Sequence, residues 1–88
     1  MQAHECKTLA QARTEIDRLN SEILALLAQR QHYVERVAAL KTDISEVPAP
    51  ERRAAVLCQV AQEASDLGMS SEVAVAVFDA MIEAFIDL

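Results

Sequence analysis

The chain has 88 residues, of which 52% are apolar and 3% aromatic, and a formal charge of −6. That makes one small domain with a limited core, the kind that leans on disulfides, a metal or a partner chain. One Gly, two Pro and no Trp favour helix over strands and hairpins, and the acidity excludes a nucleic-acid binder, which needs a basic stripe for phosphates.

The first helix is predicted to begin near Thr8, which with Gln11 gives the Thr-x-x-Gln form of a capping box. It continues without Gly or Pro to about Thr42, which is ~35 residues or about 50 Å. A compact monomer of this size cannot cover such a helix, so the pattern predicts packing against another chain. Asp43 to Ala49 reads as the first loop, with Pro48 extended. Pro50 suits the first position of a second helix, and Glu51 complements the positive end of its dipole. That helix is predicted to end near Leu67 with Gly68 as its C-terminal cap. Ser70 is the best N-cap for a third helix that runs to the chain end, with Glu72 in its first turn. Its Val73, Val77, Phe78, Met81, Ile82 and Phe85 are expected in the core. The fold class is therefore all-α, three helices with a long first one, in a single domain over residues 1–88.

Helix one carries an apolar seam with a seven-residue repeat: Leu9, Ile16, Ile23, then Arg30, then Val37. A parallel row runs Leu19, Leu26, Tyr33, Leu40, and a third runs Arg13, Asn20, Leu27, Val34, Lys41. Arg30 stands where the pattern calls for Leu or Ile, among Leu26, Leu27, Val34 and Val37. Lys41 lies eleven residues on, within ~20° of the same face of a straight helix. Cations in such surroundings are costly unless an anion satisfies them. Either they snorkel or pair with acids on neighbouring helices, or they hold a bound dicarboxylate, to which the planar Arg fork is suited. Residues 1–53 hold all eight basic residues and residues 54–88 none, so any anion site draws its cations from the first part. Arg13 is about 25 Å from Arg30 along the helix. It reaches an equivalent pocket only on a partner chain, if two first helices run antiparallel.

Other chemistries find little support. Cys6 and Cys58 lack zinc or redox spacing and read as reduced thiols. His4 and His32 have no partner at ligand spacing, so neither a metal nor a cofactor is expected. No Gly-rich phosphate loop or nucleophile–base arrangement can be argued. Acidic pairs such as Glu15 with Asp17 and Glu63 with Asp66 read as solvated helix faces. No apolar run approaches the ~20 residues of a membrane span, and no secretory leader is evident, so no membrane contact and a cytoplasmic location are expected. A catalyst made from these residues works by electrostatics and by holding its substrate in a reactive shape.

The run Arg13-x-x-Ile16-Asp17-Arg18-Leu19-Asn20-x-x-Ile23-x-x-Leu26-Leu27-x-x-Arg30, followed by Tyr33-Val34 and Lys41, resembles the opening helix of the type-II, all-helical chorismate mutases. Val47-Pro48-Ala49-Pro50-Glu51-Arg52, with Cys6 and Leu9, is most similar to the subgroup that includes isochorismate-pyruvate lyases. The resemblance covers essentially the whole chain. It implies an intertwined homodimer with two equivalent active sites. By the same analogy Arg30 binds one substrate carboxylate and Arg13 of the partner chain the other. Lys41 lies near the ether oxygen of the breaking bond, and Arg52 at the pocket edge. The implied reaction is the rearrangement of chorismate to prephenate, towards phenylalanine and tyrosine. Two positions depart from the pattern. Many of these mutases have Glu, which helps to hold the substrate hydroxyl, where this chain has Arg53. The Gln or Glu that the family places near the end of helix three falls one position beyond Leu88.

Three functions therefore compete: a chorismate mutase as the leading expectation, a lyase releasing pyruvate from isochorismate to make salicylate, and a non-catalytic helical dimerisation or regulatory module.

Overall fold

The computed structural model describes residues 2–40 and 49–86. Among them the chain is all-α: a 3-10 turn at Ala3–Glu5, then helices α1 (Leu9–Leu40), α2 (Ala49–Asp66) and α3 (Ser71–Ile86). It divides into two units, residues 1–39 and 40–88.

In the first unit, the backbone N–H of Gln2 donates to Glu5 Oε1 at 3.0 Å and so ties down the 3-10 turn. Thr8 caps α1: its Oγ1 accepts from the Gln11 N–H at 3.1 Å, and its carbonyl accepts from the Ala12 N–H. The reciprocal bond differs from the expected box. Gln11 Oε1 accepts from the N–H of Lys7, one residue before the cap, at 2.7 Å. α1 is 32 residues long, or about 48 Å. The expected extension through Lys41 to Thr42 lies outside the described residues. No residue of α1 is buried. Leu9, Ile16, Leu19, Ile23, Leu26, Tyr33, Val37 and Leu40, the members of the two apolar rows, are all exposed.

In the second unit, α2 begins at Ala49, so the expected first loop loses its last residue to the helix and Pro50 becomes its second position. The rest of that loop lies outside the described residues. α2 closes in a two-bond cap. The Met69 N–H donates to the Ala64 carbonyl at 2.9 Å and the Gly68 N–H to the Ser65 carbonyl at 3.0 Å. This geometry needs a left-handed residue at Gly68, whose φ is +72°. Ser70 then starts α3 as expected, its Oγ accepting from the Val73 N–H at 3.2 Å.

The two helices meet through a core of Val60, Ala64 and Ala74, with Val56 packed against it. The small side chains at Ala64 and Ala74, 3% and 4% exposed, let the backbones approach beside the turn. The Ser71 hydroxyl donates across to the Ala61 carbonyl at 3.1 Å. The expected core of helix three is corrected here. Val73, Val77 and Phe78 are exposed, Met81, Ile82 and Phe85 are half-buried, and the buried residue is Ala74. The apolar periodicity identified a face, but α2 packs on the neighbouring ridge that carries Ser71, Ala74 and Val75. Among the described residues, no helix is long and apolar enough to cross a membrane.

Candidate functional site

Four cations were expected to make the site. Arg13 and Arg30 both lie on α1. Seventeen residues separate them, which is about 25 Å of helix, so one α1 does not bring them to a common small ligand. Arg13 is exposed and Arg30 half-buried, with its Nη1 withdrawn from solvent. Around Arg30 the half-buried residues of α1 are Leu27, Gln31 and Val34. These positions, three or four apart, make one stripe of the helix. Of the apolar neighbours expected around Arg30, Leu27 and Val34 share that stripe, whereas Leu26 and Val37 are exposed. A guanidinium half-withdrawn among apolar stems presents a planar fork in reduced dielectric, where a carboxylate is held more strongly than at an open surface. Lys41 lies outside the described residues. Arg52 is exposed in the first turn of α2.

On α1, Arg18 is engaged by acids of its own helix. Arg18 donates to Glu15 Oε2 at 3.0 Å and to Glu22 Oε1 at 2.7 Å. The hydrogen bond from Arg18 is the largest effect holding the Glu15 carboxyl below its usual range, and burial opposes it. Glu15 thereby leaves the class of idle solvated acids, although its chemistry is structural.

Arg53 has a role that the sequence did not reveal. Its Nε and Nη2 both donate to Asp79 Oδ1, at 3.0 and 2.8 Å. Nη2 also donates to the Asp79 carbonyl at 3.3 Å, and Nη1 to Glu83 Oε2 at 2.7 Å. Hydrogen bonds to Glu83 and then Asp79 raise the Arg53 pKa further above its ordinary value. The position that many mutases of the resembling family give to a hydroxyl-binding Glu is thus occupied by a cation turned onto α3. The signal was present but distributed. Asp79 and Glu83 stand four residues apart on one face of α3, and Arg53 extends the Val56, Val60 and Ala64 seam by one step.

Two shallow concavities of the described surface are poor anion sites. One is lined by Ser71, Glu72, Val75, Ala76 and Asp79, the other by Ala10, Gln11, Thr14 and Glu15. Each contains carboxylate and no cation. Among the described residues, no group of three or more His, Cys, Asp or Glu is placed to hold a metal ion.

Comparison with known proteins adds the family. The model of the family described as chorismate mutase type II matches residues 12–88. The chain is also 33% identical over 82 residues to the isochorismate pyruvate lyase of Pseudomonas aeruginosa, an alignment covering 93% of this chain and 81% of that protein.

Proposed function

This chain belongs to the type II chorismate mutase family, and from that premise we propose that it is an enzyme that eliminates pyruvate from isochorismate to leave salicylate. The observation that carries this reading is the half-buried Arg30 in the stripe of Leu27, Gln31 and Val34 on α1, a planar guanidinium of the kind that suits one carboxylate of a small dicarboxylate. Arg13 of a second chain supplies the other carboxylate contact, because the span between the two arginines on one helix exceeds the ligand. Lys41 stabilises the negative charge that develops on the ether oxygen, and Arg52 borders the pocket. These groups bind, orient and neutralise. A unimolecular pericyclic reaction needs no nucleophile, metal or cofactor beyond that.

Arg30, Lys41, Arg13 and Arg52 serve equally in the rearrangement of chorismate to prephenate, the second reading, which the family match favours. Two observations put the lyase first. The similar curated protein carries that activity in its name, and Arg53 with its α3 acids replaces the carboxylate that helps such mutases hold the substrate hydroxyl. The protein in this reading is a homodimer with two shared sites, working in the cytoplasm, a setting that suits Cys6 and Cys58 as thiols outside any disulfide.

Parallel assays on isochorismate and chorismate test the proposal. Salicylate formation is expected at a higher kcat/KM than prephenate formation, and the reverse order moves the conclusion to the mutase. Arg30→Ala is expected to lose roughly 10²–10³-fold in kcat/KM, the scale of removing one preorganised donor, while sedimentation still shows a dimer. Near-parental activity in Arg30→Ala overturns the pocket. No turnover of either substrate by the parent chain leaves a non-catalytic helical module.

A further inference from the structure

α2 faces α3 through a single seam in which Arg53, Val56, Val60 and Ala64 recur at intervals of three or four residues. The apolar part of that seam is densest beside the turn, at Ala64 and Ala74, and thins towards the start of α2. Arg53 completes it there by polar means. Three of its nitrogens are occupied by Asp79 and Glu83, and its side chain is 27% exposed. A planar guanidinium held at three nitrogens by two side chains and a carbonyl has little freedom to rotate. The first turns of α2 are therefore fixed in rotation about their own axis as well as in distance from α3.

That rotation has a neighbour to aim. Successive helix residues point about 100° apart, so with Arg53 turned onto α3, Arg52 is directed off the seam into solvent. Among the described residues no carboxylate pairs with Arg52. Two adjacent arginines thus have separate environments, one tied to Asp79 and Glu83 and one exposed to solvent.

We propose that Arg53 is a positioning residue for Arg52: by locking the start of α2 to Asp79 and Glu83, it sets the direction from which Arg52 meets the substrate. This rests on the reading of Arg52 as a substrate-binding cation. It predicts a coupling that a merely stabilising ion pair lacks. Losing the lock leaves Arg52 present but misdirected, which weakens binding of ground state and transition state alike and raises KM with little change in kcat.

The test is a double-mutant cycle in the full chain with Arg52→Gln, Arg53→Gln and the double variant, following KM and kcat on the substrate that the parent turns over, with thermal midpoints alongside. Arg53→Gln is expected to raise KM roughly tenfold, within the range of coupling between neighbouring residues, with kcat within about twofold. The double variant is expected to match Arg52→Gln alone, because nothing remains to be positioned. Arg53→Lys, which keeps the charge but not the fork, is expected between parent and Arg53→Gln. If Arg53→Gln does not fold, Asp79→Asn takes its place in the cycle. Additive effects in the double variant overturn the proposal, as does a lowered thermal midpoint with parental KM. If Arg52→Gln itself keeps the parental KM, the substrate-binding reading of Arg52 fails first, and the positioning role fails with it. A raised KM in Arg52→Gln beside a parental KM in Arg53→Gln removes the positioning role alone.

Discussion

The α1 unit and the α2–α3 unit are both helical and are stabilised in different ways. α2 and α3 cover one another, with alanines at the close approach, a two-bond cap at Gly68 and an ion-pair clamp at Arg53. α1 has its N-cap and its Arg18 ion pairs, but none of its residues is buried and its apolar rows face outwards. Helix propensity alone does not sustain a helix in water; tertiary packing of an amphipathic face supplies most of its stability. The difference teaches that α2 and α3 bury their seam against each other, whereas the apolar rows of α1 remain exposed within its unit. In the proposed dimer, those rows are covered by the α1 of a second copy.

The largest effect is expected from a charge placed in the α1 seam. Ile23→Asp buries an unpaired carboxylate in the proposed dimer and is expected to destabilise it by about 3–5 kcal/mol, the range for an uncompensated buried charge. Sedimentation should show monomer, with helical circular dichroism reduced. A variant that stays dimeric with parental helicity would break the contrast, since the seam would then be solvated. A smaller effect is expected inside the hairpin. Ala74→Leu overfills the approach to Ala64 and should cost about 1–3 kcal/mol in urea unfolding; a neutral outcome would mean the two helices have room to part. Smallest is Gly68→Ala. Nothing lies within 4 Å of the added Cβ, so its cost comes from the φ of +72° alone, about 1–2 kcal/mol. Gly68→Asn should cost less, because Asn tolerates left-handed backbone. Equal thermal midpoints for the parent and the Ala variant would show that the cap is not formed in solution.

Local features were legible in the sequence and distant ones were not. Thr8, Gly68 and Ser70 lie where capping chemistry put them, because each cap depends on backbone groups three to five residues away. Even there, Gln11 chose the Lys7 N–H over that of Thr8, a one-residue difference that pattern cannot resolve. The seam of α1 and the anomaly of Arg30 within it were readable from spacing. The exposure of Val73, Val77 and Phe78 was not, since periodicity names an apolar face without naming what covers it. Arg53 was invisible for the same reason: its partners are 26 and 30 residues away, and only the pairing of helices brings them together.

The Gly68–Ser70 turn also sets an order of events. Ser71 and Ala61, like Ala74 and Ala64, are ten residues apart in the chain, and loops of that length close in about 10–100 ns. A hairpin with such low contact order forms at a rate set by one molecule alone. Covering α1 with a second copy requires two finished chains to collide, so its rate depends on how many are present. In the proposed dimer, a clock independent of abundance, in α2–α3, is thus separate from one that reads abundance, in α1. At low expression the hairpin is complete while the proposed shared pocket still waits for its other half.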